Sequence, residues 1–242
     1  MNAVQTIDLT KKYGSLVAVN HLNLQIPQGE LFALLGVNGA GKTTTIKMLC
    51  GLTKPTSGSA QIGGYSLSED TAGIRKIIGV SPQETAVAPN LTVKENLELM
   101  GALHGFSKDK TRRKLQELSA CLNLQHVMER KAGKLSGGWQ RRVSIAMALI
   151  GDPSILFLDE PTLGLDVMAR RELWSLIRSL KKTATIILTT HYMEEAEALS
   201  DRIGIMKDGE LIAIGTAQEL MDRTSTDTFE DAFISLVKEG QS

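Results

Sequence analysis

Short apolar runs bounded by turn residues alternate along the chain with longer segments that carry apolar side chains at helical spacing. In the first thirty residues, "AVQTIDLT" and "LVAVNHLNLQI" lead to Pro27 and Gly29, a pattern that predicts small antiparallel strands. The nearly all-apolar "ELFALLG" predicts a buried strand, and "VNGAGKTTTIKMLCGL" predicts a helix after it. "SAQIGG" predicts another strand, and "IRKIIGVSPQE" predicts a strand that ends at Pro82.

The pattern changes between about residues 86 and 150, where it predicts three amphipathic helices. Thr92 and Glu95 have the spacing of a capping box at the start of the first helix, and "DKTRRKLQELSACLNL" forms the second. The third begins after Ser136, and its apolar face consists of Val143, Ala146, Met147 and Ile150. We interpret this stretch as a helical insertion.

Strands and helices alternate again after residue 150. "SILFLDEP", "ATIILTTH" and "RIGIMKDGELIAIG" predict strands, and the alternation is typical of an α/β protein. Two helical pieces, "AQELMD" and "FEDAFISLVKEG", follow Gly215.

Composition narrows the class of protein. Of the 242 residues, 42% are apolar, which is enough for a sizeable hydrophobic core. The formal net charge is zero, so the composition does not indicate strong electrostatic attraction to nucleic acid. Cys50 and Cys121 provide no disulfide framework and fit reduced thiols in the cytosol. The N-terminus has no signal-peptide pattern, and the longest apolar run, Ile145 to Ile150, is far shorter than the about 20 residues of a spanning helix. We therefore expect any membrane role to come through a partner.

The stretch "GVNGAGKT", Gly36 to Thr43, matches the phosphate-binding pattern G-x-x-x-x-G-K-[ST] between a predicted strand and a predicted helix. Gly36, Gly39 and Gly41 permit the backbone angles that turn several N–H groups toward one anion. Lys42 supplies positive charge for the β- and γ-phosphates, and Thr43 offers a hydroxyl to Mg²⁺. The N-terminus of the following helix favours the same phosphates. A glycine-rich turn that happens to carry lysine is the alternative, and the strand–loop–helix context disfavours it.

A second element of such a site is "ILFLDE", Ile155 to Glu160. Its apolar residues predict a buried strand whose two carboxylates emerge at the C-terminal end, the edge where α/β sheets bind ligands. Asp159 can reach Mg²⁺ directly or through a water, and Glu160 can polarise the attacking water. Two acids after a strand can also be ordinary surface residues, but the phosphate loop upstream favours the functional interpretation.

With these residues, five motifs make the chain, from about Val4 to Gly215, resemble the nucleotide-binding subunit of an ATP-binding cassette (ABC) transporter. "LSGGWQ" is similar to the family's signature sequence, which other P-loop ATPases lack. Gln83 in "SPQE" is similar to the glutamine loop, and "TLGLD", ending at Asp166, is similar to the loop after the catalytic glutamate. His191 in "TTHYMEEA" is similar to the switch histidine. Tyr13 in "KKYG" is similar to the aromatic residue that stacks on adenine.

The resemblance implies a role for the signature that one chain cannot fulfil alone. In the family, two cassettes pair head to tail, and each ATP lies between the P-loop of one and the signature of the other. Ser136, Gly137 and Gly138 would therefore cap the γ-phosphate in the partner's site through a hydroxyl, exposed N–H groups and a helix N-terminus. A serine N-cap is the ordinary interpretation of Ser136, but it does not explain two glycines in the first turn.

The implied mechanism is ATP hydrolysis by positioning and charge stabilisation, with ATP closing the dimer and hydrolysis reopening it. The catalytic residues would be Glu160, His191, Gln83 and Lys42. Gln83 would reach the metal or the water, and His191 would hold the γ-phosphate and orient the water. The nucleotide-binding set is Tyr13, Gly36, Val37, Asn38, Gly39, Ala40, Gly41, Lys42, Thr43, Thr44, Ser136, Gly137 and Gly138. The Mg²⁺ set is Thr43, Gln83 and Asp159.

Three positions depart from the usual family pattern without removing a charged or catalytic group. Val37 and Val167 stand where proline is frequent, and Trp139 replaces a more usual glutamine or methionine in the signature. Trp139 is bulkier than these residues, so we expect it to alter the packing at the dimer interface and the geometry of the signature.

The resemblance also implies partners. These are a second ABC cassette, in a homodimer, and separate transmembrane permease subunits that hold the chain at the cytoplasmic face of the cell membrane. "THYMEEAEALSDRIGIMKDGELIAIGT" and "TFEDAFISLV" resemble the ABC-2 type branch, whose members mostly export drugs, lipids or polysaccharides, and the regulatory domain common in sugar importers is not seen. The apolar residues between Val87 and Leu103 fit either core or a groove for a coupling helix.

Three other function classes fit the motifs less well. A soluble ABC ATPase that acts on nucleic acid or ribosomes usually has coiled-coil insertions or two cassettes in one chain. A P-loop kinase or GTPase would lack the signature, and no N-K-x-D guanine motif is present. A cassette that binds ATP without hydrolysing it would not need both Glu160 and His191.

The predicted fold is α/β, with a P-loop NTPase (RecA-like) core, an N-terminal antiparallel β subdomain and a helical insertion subdomain. We predict that residues 1–225 form the cassette, with core segments 1–85 and 151–225 and a helical subdomain at about 86–150. Residues 226–242 are predicted to form a C-terminal helical tail.

Overall fold

The computed structural model describes residues 1–239, and its strands form two sheets. The first is antiparallel, with strand order β2-β1-β4-β5. Its strands are β1 (Asn2–Tyr13), β2 (Leu16–Pro27), β4 (Ser57–Ile62) and β5 (Tyr65–Ser66). β1 is central because Val4 faces both Ile26 of β2 and Ile62 of β4. The predicted antiparallel β subdomain is confirmed, with longer strands than the sequence pattern predicts.

The second sheet has six strands in the order β10-β9-β3-β8-β7-β6, and all neighbours are parallel except β10 and β9. Its strands are β3 (Leu31–Leu35), β6 (Ile78–Ser81), β7 (Ile155–Asp159), β8 (Thr185–Thr190), β9 (Arg202–Lys207) and β10 (Glu210–Gly215). Every residue of β3, β7 and β8 is buried, as expected for parallel strands covered on both faces. Their carboxyl ends meet at one edge, where Leu35 pairs with Thr190 and Asp159 with Thr189.

The helices pack on both sides of this sheet. They are α1 (Lys42–Leu49), α2 (Thr71–Ile77), α3 (Val93–Leu103), α4 (Lys108–Cys121), α5 (Gly137–Leu149), α6 (Val167–Leu180), α7 (Met193–Leu199), α8 (Ala217–Thr224) and α9 (Phe229–Glu239). The predicted capping box of α3 is present, with Glu95 N donating to Thr92 Oγ1 at 3.1 Å and Thr92 N donating to Glu95 Oε2 at 2.7 Å. The last three residues of the predicted tail, 240–242, lie outside the described residues.

Two apolar clusters sandwich the six-stranded sheet. Alternate residues of β3 show this, because Leu31 and Leu35 join the cluster with the helical segment, whereas Phe32 and Leu34 join the cluster with the antiparallel sheet. The six-stranded sheet is therefore packed between the antiparallel sheet on one face and the helices on the other. Within residues 1–239, no helix is both long and apolar enough to cross a bilayer.

The strand predicted for "IRKIIGVSPQE" is partly wrong. Residues 74–77 belong to helix α2, and only Ile78–Ser81 form a strand. The Asp70 side chain accepts a hydrogen bond from Gly73 N at 2.7 Å and caps α2. A good N-cap of this kind stabilises a helix by about 1 kcal/mol, and it favours the helix over a continued strand.

The predicted amphipathic character of α5 is also wrong. Residues 141–150 are all buried. The cause is position, because α5 contacts strands β6 and β7 as well as helices α3, α4 and α6. Its polar side chains are thus buried against other elements instead of facing solvent.

Candidate functional site

The loop between β3 and α1 requires glycine for reasons visible in its packing. A Cβ atom on Gly36 would lie 2.4 Å from the carbonyl oxygen of Met206, and one on Gly41 would lie 2.4 Å from that of Ala18. Gly39 and Gly41 have φ values of 85° and 101°, in the region that favours glycine. Neighbouring backbone therefore fixes the shape of this loop at the carboxyl edge of the sheet.

A cavity of about 690 Å³ opens in front of this loop. It brings together eleven residues predicted for the site, namely Tyr13, Asn38, Gly39, Ala40, Gly41, Lys42, Thr43, Thr44, Gln83, Glu160 and His191. Gly36, Val37 and Asp159 are not among the lining residues. Gly36, at the start of the loop, and Asp159, at the end of β7, are buried, whereas Val37 in the loop is 52% exposed.

Lys42 is a buried cation at the bottom of this cavity. Its Nζ donates to the carbonyl oxygens of Gly36 at 2.7 Å and Val37 at 3.2 Å, and it lies 3.3 Å from Glu160 Oε1. Both ion-pair partners have side chains only 6% exposed. A buried charge is costly without a partner, so each of these two groups requires the other or a substitute ligand.

Asp159 forms the second part of the site with two hydroxyl groups. Thr43 Oγ1 donates to Asp159 Oδ1 at 3.2 Å, and Thr189 Oγ1 donates to the same oxygen at 2.5 Å. Mg²⁺ prefers oxygen ligands and is commonly held by one or two carboxylates together with substrate phosphates. The hydroxyl of Thr43 and the carboxylate of Asp159 fit that requirement, beside the cavity that Gln83 also lines.

Glu160 is held in an unusual backbone conformation. Its φ is 47°, in the left-handed region that a glutamate rarely adopts. Its backbone N–H is directed at Thr189, with the carbonyl oxygen at 3.1 Å and Oγ1 at 3.0 Å. His191 Nδ1 lies 2.8 Å from Glu160 Oε2. Strained residues of this kind are often found at functional sites, and here the carboxylate is fixed between Lys42 and His191.

Tyr13 lies at the end of β1 on the rim of the cavity, and it is 48% exposed. The Lys11 ammonium lies 4.9 Å from the centre of its ring. An exposed aromatic face at the mouth of a cavity can stack on a flat heterocycle.

The segment "LSGG" does not line this cavity. Ser136 has N-cap backbone angles at the start of α5, but no capping hydrogen bond from its hydroxyl is seen among the described residues. A Cβ atom on Gly137 would lie 3.9 Å from Leu165 Cδ2, and one on Gly138 would lie 3.5 Å from Ala169 Cβ, which are ordinary contacts. Neither glycine has a left-handed φ. The packing of this chain therefore does not explain why these positions are glycine.

Trp139 packs within its own chain. Its ring meets the His126 ring edge-on at 4.7 Å between centroids, and the Arg142 guanidinium lies 4.7 Å from its centre. It is half-buried against the apolar cluster of the helices. Ser136 and Gly137, which precede it, are exposed at the surface.

Comparison with known proteins identifies the family. A family model described as ABC transporter matches residues 19–163, more than half of the chain. This chain belongs to the ABC transporter family. The probable multidrug ABC transporter ATP-binding protein YbhF of Escherichia coli K12 is 40% identical over 240 residues, which are 97% of this chain and 41% of YbhF. The chain thus spans less than half the length of that relative.

Two other matches agree with this assignment to the ABC family. The doxorubicin resistance ATP-binding protein DrrA of Mycobacterium tuberculosis is 44% identical over 230 residues, which cover 94% of this chain and 69% of DrrA. The dimeric structure of a post-hydrolysis state of the ATP-binding cassette MJ0796, bound to ADP and Pi, matches with a TM-score of 0.79 and 30% identity over 88% of this chain and 98% of that chain. The predicted family and fold class are confirmed.

Five further residues line the cavity, and only Leu163 of them lies within one of the ABC motifs, "TLGLD". The other four are Leu16, Val17, Ala18 and Asp208. The first three could have been found from the sequence, because a tight turn at Gly14 returns the chain beside Tyr13, which pairs with Leu16. Asp208 lies in the turn between β9 and β10, and no local pattern indicates that this turn packs against the phosphate loop, where Gly209 N donates to Ala40 O at 3.1 Å.

Glu195 is a buried carboxyl group within the stretch "TTHYMEEA", but the motif assigns a role only to His191. It is fully buried on α7, and Trp174 Nε1 donates to its Oε1 at 3.0 Å. Burial raises the pKa of the Glu195 carboxyl, and the nearby Glu160 carboxylate acts in the same direction.

This pKa shift predicts a pH-dependent effect of Glu195→Gln. The native protein keeps a proton on Glu195 at a higher pH than the unfolded chain, whose glutamate pKa is about 4.3. The protonated Glu195 therefore contributes to the free energy of unfolding at pH values below the pKa of the unfolded chain. This contribution is lost as pH rises through the pKa of Glu195 in the native protein. Glutamine cannot lose a proton, so we expect this variant to be more stable than wild type at pH 8. The advantage should shrink toward pH 5 in urea unfolding experiments.

The exposed neighbour Glu197 provides the control. Glu197→Gln should change stability little at any pH. A constant difference between Glu195→Gln and wild type from pH 5 to pH 8 would contradict the assignment of a raised pKa to Glu195.

Proposed function

We propose that this chain is the ATP-binding and ATP-hydrolysing subunit of an ABC transporter, in which two copies enclose each nucleotide. The observation that carries the proposal is the pair Gly137 and Gly138. The fold of the chain does not require glycine at either position, and Ser136 beside them keeps an exposed hydroxyl. Exposed backbone N–H groups at the start of a helix favour an anion, and the phosphate loop of a second copy would supply one.

The site supports a mechanism in which the nucleotide redistributes the buried charges. The loop from Gly36 to Thr43 and the N-terminus of α1 would bind the phosphates, and Tyr13 would stack on the adenine. Lys42 would then exchange its contact with Glu160 Oε1 for the phosphate oxygens. That carboxylate oxygen becomes free to accept a proton from water as the water oxygen attacks the γ-phosphorus and the bond to ADP breaks. His191 would keep the other oxygen in place and contact the γ-phosphate.

Thr43, Asp159 and Gln83 would hold Mg²⁺ in this arrangement. When bound, the ion would neutralise charge on the β- and γ-phosphate oxygens.

Apolar side chains near the signature support pairing with a second copy. Val167 and Met168, in the first turn of α6, are 62% and 69% exposed, and Leu163 is 37% exposed. The segment that carries them lies beside the signature, because a Cβ atom added to Gly137 or Gly138 would contact the side chains of Leu165 and Ala169. An exposed apolar patch of this kind is typical of an interaction surface.

Export through separate permease subunits is the proposed transport role. The printed names of YbhF and DrrA refer to multidrug transport and doxorubicin resistance. On α3, Val93 and Leu97 are core residues, whereas Leu99 and Leu103 are 45% and 72% exposed. The exposed pair is available to a permease, which would hold the chain at the cytoplasmic face of the membrane. In this proposal residues 1–225 act as the cassette, with a helical subdomain at about 86–150 and a helical tail from 226.

The test is purification of the tagged full chain in mild detergent from its native cells. We expect a membrane-spanning protein to co-purify and the complex to hydrolyse ATP only when Mg²⁺ is present. Recovery of ribosomes or nucleic acid in place of a membrane protein would contradict the transport role.

A further inference from the structure

Arg141 joins the signature helix to the segment that carries Gln83. It lies on α5 one turn after Gly137 and is 4% exposed. Its Nη1 donates to the carbonyl oxygen of Pro82 at 2.6 Å, and its Nη2 donates to that of Gln83 at 2.6 Å. One side chain therefore holds two consecutive carbonyl groups directly after strand β6.

This bonding requires an arginine. A guanidinium presents several N–H donors in a rigid planar fork, whereas a lysine ammonium is a compact point charge that matches two fixed acceptors less well. Burial lowers the pKa of Arg141, and the Asp159 and Glu195 carboxylates oppose that effect. A buried cation is kept here at a cost, and both carbonyl groups would lose a charged donor without it.

The remaining contacts between α5 and β6 leave little room for independent movement. The hydroxyls of Ser81 and Ser144 are buried and lie 2.9 Å apart. A Cβ atom on Gly79 would lie 2.3 Å from the carbonyl oxygen of Ala148. Helix and strand are thus closely packed, and Arg141 extends the connection past the end of the strand. The Gln83 side chain itself is exposed in the nucleotide cavity.

We propose that Arg141 is a positioning residue for Gln83. Through Arg141, the position of the signature helix, which binds nucleotide in the partner's site, determines where Gln83 lies in the chain's own nucleotide site. This inference rests on the proposed function and names a physical connection between the two half-sites. Engagement of the signature by the partner's nucleotide would thereby align Gln83 for hydrolysis of the nucleotide in the chain's own site. Arg141 acts through the backbone of Gln83 and does not contact the nucleotide.

The test compares Arg141→Lys with Arg142→Lys. Arg142 is the next residue of the same helix and is also buried. It pairs with Glu172 at 2.5 Å and stacks on the Trp139 ring, and a lysine can keep both the ion pair and the cation–π contact. We expect Arg141→Lys to lower kcat by about tenfold, the effect of losing one charge-assisted hydrogen bond. The KM for ATP should change by less than about twofold. Arg142→Lys should resemble wild type in both constants.

A double-mutant cycle separates positioning from a general loss of packing. If Arg141 acts through Gln83, then Arg141→Lys should have little further effect on kcat in a Gln83→Ala background. Provided that the wild-type chain hydrolyses ATP, two results would overturn the inference. One is a double variant whose loss in kcat equals the product of the two single losses, and the other is an unchanged kcat for Arg141→Lys alone. Absence of hydrolysis by the wild-type chain would instead contradict the proposed function.

A second measurement keeps Arg141 intact, in case Arg141→Lys does not fold. Hydrogen exchange of the Glu160→Gln chain would be measured with ATP, which should hold the pair closed, and with ADP. We expect amides of residues 83–86 and 137–140 to gain protection together when ATP is present. Protection of 137–140 alone would show that the glutamine segment does not follow the signature helix and would overturn the inference.

Discussion

Replacing Glu160 with glutamine is expected to lower the rate of ATP hydrolysis by at least about a hundredfold, within the range for loss of a general base. ATP binding should remain within about twofold of wild type. Glutamine has the same size and can keep contacts with Lys42 and His191, which lie 3.3 Å and 2.8 Å from the glutamate oxygens. It cannot accept the proton of the attacking water. Steady-state phosphate release and equilibrium binding of a fluorescent ATP analogue measure the two effects.

The same variant should accumulate as an ATP-bound pair, because closure would no longer be followed by hydrolysis. Size-exclusion chromatography with ATP and Mg²⁺ detects that species. Glu69→Gln, at an exposed position between β5 and α2, is the matched control and should hydrolyse ATP normally. Full activity of Glu160→Gln would remove Glu160 from the proposed mechanism.

Replacing Ser136 with arginine is expected to lower the rate of ATP hydrolysis by at least about a hundredfold. This is the size of effect expected when preorganised donors at a reacting phosphate are lost. Ser136 is exposed and does not line the cavity of its own chain. ATP binding to the monomer should therefore be nearly normal, while the bulky side chain prevents close approach of the partner's γ-phosphate. Binding measured at protein concentrations too low for pairing, together with phosphate release at high concentration, tests this prediction.

Ser68→Arg is the control for the added bulk and charge. Ser68 is exposed in the segment between β5 and α2 and is absent from the cavity. It should leave hydrolysis unchanged. If Ser136→Arg destroyed ATP binding by the monomer, the signature would belong to its own chain's site, and the arrangement of shared sites would be wrong.

Local patterns were sufficient for the half-site that we propose binds phosphate. In the loop from Gly36 to Thr43, neighbouring backbone leaves no space for a Cβ atom on Gly36 or Gly41, and Gly39 has a positive φ, so the sequence motif and the geometry coincide. Asp159 and Glu160 follow an entirely buried strand, and the shared carboxyl edge of parallel strands brings them to Lys42 and Thr43. Order along the chain and the α/β rule account for this part of the prediction.

Features that depend on distant packing could not be predicted from the sequence. Residues 74–77 are a local exception, because Arg75 and Lys76 separate their two isoleucines and the cap at Asp70 places them in helix α2. In α5 the expected polar face is buried because strands and helices surround it. Arg141 lies 59 and 58 positions along the chain from Pro82 and Gln83, whose carbonyl groups accept its hydrogen bonds. No periodicity in the sequence relates these positions.

The most direct test of the shared nucleotide site is the dependence of hydrolysis on protein concentration. Phosphate release per molecule would be measured for the purified chain over a wide dilution range at saturating ATP and Mg²⁺, with light scattering to determine the oligomeric state. If each ATP is held between two chains, the rate per molecule should fall on dilution as pairs dissociate. A rate per molecule that stays constant at all dilutions, with only monomers detected, would contradict the shared site.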